Sequence, residues 1–190
     1  GYEPCELPGC SILLNSVLAL LLVGQRHVCF LLARHLNSYL RLPMYTHILI
    51  STDGSELAQK GVDHGLSLAK ALGSKVTIIT ATEPFPIPTG TAAWVVTPNE
   101  IAGYAAGRKK EAEDLLALVK ATAEKMGIDA NVVHVPDARA ATAILETAQQ
   151  AGCNLIVMAS HGRRGVKRIL LGSQAAEVVT SSLVPVLVVR

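Results

Sequence analysis

The chain has 190 residues, half of them hydrophobic but only 4% aromatic, with 17 basic and 15 acidic residues for a formal charge of +2. That length allows one domain with a sizeable core plus something extra. The balanced charge, without a basic stripe or cluster, gives no reason to expect nucleic acid or a membrane surface as partner. Of the four cysteines, Cys5, Cys10 and Cys29 lie in the first 30 residues and only Cys153 in the body of the chain. No spacing suggests a zinc site or a redox CxxC. One thiol in the body fits a reducing compartment, so a cytoplasmic location is expected.

Residues 1–43 read differently from the rest. An apolar run from Ile12 to Val23 is followed by Gln25-Arg26-His27 and a second apolar patch, Val28 to Ala33. A membrane helix needs about 20 mostly apolar residues. This one would have to bury Arg26, at a cost of about 2.5–3.5 kcal/mol. A signal peptide would begin with basic residues, and here the start carries Glu3 and Glu6. The expected reading is an artificial or mis-started extension outside the domain, with a targeting or membrane segment and an ordered helical addition as alternatives. The domain itself is expected at 44–190, away from the membrane.

From Tyr45 the pattern is regular. Thr46–Ser51 is a short β-branched apolar run that ends at Thr52-Asp53-Gly54-Ser55. Ala58, Val62, Gly65, Ala69 and Leu72 then follow helical spacing, with Ser55 or Asp53 as cap and Gly73 as stop. Lys75–Ala81 is the second strand. Glu83 to Pro98, with four prolines and the only tryptophan, is an irregular loop. Asn99–Met126 is a long helix with Ile101, Ala105, Ala112, Leu116, Val119, Ala123 and Met126 on one side. Asn131–Val135 is the third strand, and Asp137 is expected to cap the helix that ends near Ala151-Gly152. Asn154–Ala159 is the fourth strand, Ser173 to about Ser181 the last helix, and Pro185–Val189 the fifth strand. Near-continuous apolar strands alternating with helices predict an α/β fold with a five-stranded, doubly wound, Rossmann-like parallel sheet.

In such a sheet ligands bind beyond the carboxyl ends of the strands, where the strand order reverses. With the first three strands wound one way and the last two the other, strands 1 and 4 flank that crevice. The loops there are Thr52–Ser55 and Ser160–Gly172. In the second, Gly162 and Gly165 let the backbone approach an anion, and Gly172-Ser173 opens a helix whose N-terminal N–H groups favour negative charge. Arg163, Arg164, Lys167 and Arg168 lie between. Seen alone, such a stretch also reads as a solvated loop with a helix cap. There is no GxxxxGK[ST] loop and no GxGxxG turn. Gly103–Lys109 is glycine-bearing and basic but falls inside a helix pattern, so it receives no phosphate role.

The stretch Ile156-Val157-Met158-Ala159-Ser160-His161-Gly162, then nine residues, then Gly172-Ser173, resembles the C-terminal signature of the universal stress protein family. Ile48–Ser55 and Pro185–Val189 resemble its first strand and loop and its last strand, so the resemblance spans about 44–190. It implies an adenine nucleotide alpha-hydrolase-like fold with strand order 3-2-1-4-5. It also implies a site for ATP (or ADP or AMP) on the nucleotide-binding pattern Gly-x2-Gly-x9-Gly-[Ser/Thr]. Gly162, Gly172 and Ser173 match, while Ala159 stands at the first glycine position, a change tolerated if its φ is negative. In this resemblance Asp53 contacts the ribose or adenine edge, with Thr52 beside it in the nucleotide-binding loop, and the backbone near Ala81 reads the base. Met158, Ala159, Ser160 and His161 line the ribose side. Gly162, Gly172 and Ser173 hold the phosphates, and on the loop's own composition Gly165 and Arg163 are added to that end. Mg2+ would come with the phosphates.

Ser160, His161 and Asp53 are not read as a catalytic triad, because Ser160 and His161 are neighbours and no GxSxG elbow is present. No general base stands out, so at most weak ATPase activity is expected. Three functions follow: a stress-response regulator acting through nucleotide-dependent conformation or dimerisation; a slow ATP hydrolase or phosphotransferase; or a dimeric interaction module that binds no nucleotide. The resemblance implies a homodimer through the strand Pro185–Val189.

Overall fold

The computed structural model describes residues 44–86, 97–162 and 171–190. Arg163, Gly165 and the rest of the basic loop, the middle of the proline-rich loop, and the extension at 1–43 lie outside the described residues.

Five strands and four helices alternate: β1 His47–Ser51, α1 Glu56–Leu72, β2 Lys75–Ala81, α2 Pro98–Lys125, β3 Ala130–Val135, α3 Ala140–Gln150, β4 Leu155–Ala159, α4 Ser173–Ser181 and β5 Val186–Val189. The strands form one parallel sheet in the order β3-β2-β1-β4-β5. This is the predicted order, with the reversal between β1 and β4.

The strand alternation explains the two cores. Ile48 and Ile50 of β1 join Leu155 and Val157 of β4 against α1 and α2, with Val62, Leu66, Leu116 and Val119. Leu49, Ile156 and Met158 point the other way, against Ala141, Ile144 and Ala148 of α3 and Val178 of α4. Successive side chains on a strand face opposite sides, so an apolar run fills both layers. Helix α1 packs closely because Gly65 has no side chain: a methyl group there would stand 2.6 Å from Ile50 Cδ1.

Local signals set most boundaries. Ser55 Oγ accepts from the Ala58 N–H at 3.2 Å, and Asp53 Oδ1 accepts from the Ser55 N–H at 3.0 Å, so the two share the start of α1. Gly73 ends α1 with φ 67°, a left-handed conformation that suits glycine. β4 begins one residue later than predicted. Asn154 instead turns its side-chain oxygen to the Thr46 and His47 N–H groups at 3.0 and 3.1 Å, latching the start of β1.

Two expectations are corrected. Asp137 does not cap α3: it sits in a turn with φ 52°, and the N-cap is Arg139, which makes no side-chain cap bond. Gln174 of α4 fills the role, its Oε1 accepting from the Ala141 N–H at 3.0 Å. The apolar side of α2 also holds only over its second half. Ala112, Leu116, Val119 and Ala123 are buried, while Ile101 and Ala105 are exposed. The first half of α2 runs past the core, starting from a capping box between Thr97 and Glu100.

Candidate functional site

A cleft of about 770 Å³ opens beyond the carboxyl ends of the central strands. That is the size range of sites for small ligands and cofactors. Its floor is the strand ends and following loops: Ser51, Thr52 and Asp53 after β1, Ala81 after β2, and Met158 through Gly162 after β4. Gly172, Ser173 and Gln174 at the start of α4 close one side. The predicted residues that the structure describes therefore all line one cavity. Phosphate, ribose and base roles within it are a further matter.

The two loops are fitted to each other. Ser51 leads to Thr52, whose N–H donates to the Ile79 carbonyl at 2.9 Å and whose Oγ1 accepts from the Gly54 N–H at 3.3 Å. These bonds turn the chain so that Asp53 leans toward the β4 loop. A methyl group on Gly162 would lie 2.6 Å from Asp53 Oδ2, closer than nonbonded atoms tolerate. Glycine at 162 is thus needed for close approach to Asp53. Ala159, at the departed motif position, ends β4 buried, and Asp137 is the only non-glycine with positive φ among the described residues. An alanine fits there without backbone strain.

Ser160 is the hub of the β4 loop. Its N–H donates to the Val189 carbonyl at 2.8 Å, and its carbonyl accepts from the Gly172 N–H at 2.8 Å. Gly172 is the N-cap of α4 and makes no side-chain cap bond. The N–H groups of Ser173, Gln174 and Ala175 therefore begin α4 without a capping oxygen, at the positive end of the helix dipole. His161 Nδ1 lies 3.1 Å from Ser160 Oγ, and His161 Nε2 is buried without a partner.

Tyr104 and Arg108, set aside in the sequence as plain helix, also line the cleft. Phe85, just after β2, meets Tyr104 edge-on with ring centres 5.2 Å apart, which fixes this part of α2 beside the strand ends. The available signal was their i, i+4 spacing with each other and with buried Ala112. A smaller hollow of about 70 Å³ adjoins, lined by Asp53, Thr80, Ala81, Thr82, Arg108 and Glu111 among others. Among the described residues no group of three or more His, Cys, Asp or Glu side chains gathers to hold a metal ion. No described helix is long and apolar enough to cross a membrane.

The sequence profile of the universal stress protein family matches residues 44–190. This chain belongs to the universal stress protein family. The universal stress protein MJ0531 of Methanocaldococcus jannaschii is 31% identical over 159 residues, covering 82% of this chain and 89% of the relative. The solved structure of MJ0577 from the same organism superposes with a TM-score of 0.64 at 25% identity, over 77% of this chain and 96% of the other. A universal stress protein solved in complex with cAMP superposes with a TM-score of 0.56 at 24% identity, over 77% and 97% of the two chains.

Proposed function

We propose that the domain binds an adenine nucleotide, ATP foremost, in the cleft between the β1 and β4 loops. In this reading the bound state sets its conformation or its pairing with a second copy as part of a stress response. The observation that carries this is the start of α4. Three successive N–H groups without a capping side chain face the cleft at a helix N-terminus, an arrangement that favours phosphate. Gly162 and Gly172 keep side chains out of that space, and Ser173 adds a hydroxyl. Arg163 and Gly165 belong to the same phosphate end in this reading. A ribose then lies between Asp53 and the Met158–His161 segment, with the base toward Ala81. The protein of the same fold solved with cAMP supports the choice of an adenine nucleotide.

Mg2+ would be held chiefly by phosphate oxygens and water, as is usual when a protein offers few carboxylates. The chain's own residues would bind and orient the nucleotide. Phosphoryl transfer needs a positioned base or water-orienting group, and the side chain of His161 is tied to its neighbour Ser160, which favours a binding role in this reading. Regulation through binding is therefore preferred over hydrolysis. Residues 1–43 have no part in this reading, so removing them should leave nucleotide binding unchanged.

The decisive experiment is calorimetric titration of ATP into the wild type and Gly172→Val. A methyl group at Gly172 would already press to 3.2 Å from the Ser160 carbonyl, and the branched valine reaches into the helix entrance. Affinity should fall at least about tenfold while the circular dichroism spectrum is kept. Unchanged affinity would refute the phosphate assignment. Steady phosphate release by the wild type would favour the hydrolase reading, and no binding at all the interaction module.

A further inference from the structure

We infer that Arg108 is a base-recognition residue of this cleft, outside the loop motif that would hold the phosphates. The inference rests on the nucleotide reading above. Among the described residues only two buried side-chain polar atoms lack a hydrogen-bond partner: His161 Nε2 and Arg108 Nε. Both residues line the same cleft. A buried N–H without an acceptor is costly, and native proteins rarely leave one so. Arg108 Nε carries such an N–H, and His161 Nε2, a donor or an acceptor according to its tautomer, is the second unsatisfied atom on the same cavity; together they point to a polar ligand group that the described residues do not supply.

Position tells which part of the ligand Arg108 meets. His161 stands at the β4 and α4 end. Arg108 stands on α2, which packs on β3 and β2, and it shares the small hollow with Thr80, Ala81 and Thr82 at the end of β2. In the order β3-β2-β1-β4-β5 the ends of β2 and β4 are two strand spacings apart, about 10 Å. With phosphates at α4 and the sugar over Asp53, the ligand's far end reaches β2. For a nucleotide that end is the base. Its ring nitrogens accept hydrogen bonds, and its flat face suits a guanidinium. Glu111 holds the group in place: its Oε2 accepts from Arg108 Nη1 at 2.7 Å. That leaves Nε for the base, with Glu111 as the positioning residue.

The test titrates ATP and adenosine separately into the wild type, Arg108→Ala and Arg108→Lys. Arg108→Ala should weaken both ligands by the same factor, about tenfold or more. Arg108→Lys should weaken both as well, because an ammonium lacks the planar Nε fork. The Arg108 side chain is only 33% exposed, so melting temperatures are recorded alongside, and Arg108→Lys, which keeps most of the apolar stem, separates lost packing from a lost base contact. A loss confined to ATP would mean that the arginine reads phosphate and would overturn the assignment. So would wild-type affinity for both ligands in both variants. If the wild type binds neither ATP nor adenosine, the nucleotide reading itself fails, a result distinct from either.

Discussion

Gly162 and Asp53 fit closely, so a side chain at 162 disturbs Asp53. Gly162→Ala puts a methyl group 2.6 Å from Asp53 Oδ2, so the carboxylate must swing away. Asp53 also accepts from the Ser55 N–H at the start of α1, which makes the swing costly. We expect a loss of about 1–3 kcal/mol in unfolding free energy and weaker ATP binding, checked by urea denaturation and calorimetry. His134 gives a pH signature. Its Nε2 pairs with Thr82 Oγ1 at 2.9 Å, and burial is the main cause that lowers its pKa below 6.5. Glu113 and Asp137 oppose the shift and Lys109 adds to it. The folded state therefore binds fewer protons than the unfolded chain. The stability from neutral His134 is full above about pH 6.5 and is lost as pH falls toward the lowered pKa. Urea midpoints between pH 5 and 8 should fall toward acid in the wild type and less in His134→Gln. Cys153 is the opposite kind of residue, inert by design of its surroundings: burial pushes its thiol up to about 11. Site-resolved alkylation at pH 8 should leave Cys153 unmodified in the folded protein and label it after denaturation.

Helices α3 and α4 are joined at the site, and the sequence did not reveal it. Gln174 caps α3 from the first turn of α4, and Arg139 pairs with Glu177 at 2.7 Å. Anything that shifts the start of α4 therefore acts on the start of α3. Gln174→Ala should cost about 0.5–2 kcal/mol, the usual worth of a helix cap, and lower the melting temperature in a thermal scan. Asp137 misled because aspartate before a helix pattern is a common cap. The true partner lies 33 residues away in sequence, where spacing carries no information. The strands were legible for the opposite reason. Ile48–Ile50 and Leu155–Met158 are buried on both faces, so burial needs no partner to be read from sequence. Helix α2 shows the limit. Its apolar repeat runs on through Ile101 and Ala105, which are exposed, and pattern alone cannot tell core from cleft wall. The glycines of the loop pattern were legible in the sequence, and the structure gives Gly162 a local reason, a Cβ there meeting Asp53 Oδ2 at 2.6 Å, and Gly172 a milder one, a Cβ 3.2 Å from the Ser160 carbonyl. Arg108 was not legible, because a basic residue on a helix usually faces water.

At the scale of the whole domain, β5 is the sheet edge that remains to be explained. β5 pairs only with β4 in the described sheet. Leu187 on it is 40% exposed, and Val179 and Leu183 just before it are 44% and 94% exposed. An apolar edge that no described strand pairs invites pairing, and native proteins cover such edges or charge them. Neither Val186, Leu187, Val188 nor Val189 is charged. We propose a second copy as the cover: one β5 against another about a twofold axis would bury the same patch on both. The same edge touches the site, because the Ser160 N–H donates to the Val189 carbonyl and Ser160 in turn receives the Gly172 N–H. Nucleotide at the α4 entrance and pairing at β5 would then act on one residue. In that proposal the wild type sediments as a dimer, and Leu187→Lys, which places a charge on the β5 edge without entering the core, should fold but sediment as a monomer at the same concentration. If pairing and binding are linked through Ser160, ATP should shift the wild-type dimer equilibrium, and Leu187→Lys should change ATP affinity by the same factor in return. A wild type that sediments as a monomer with and without ATP would remove the dimer from this account and leave the cleft as it stands.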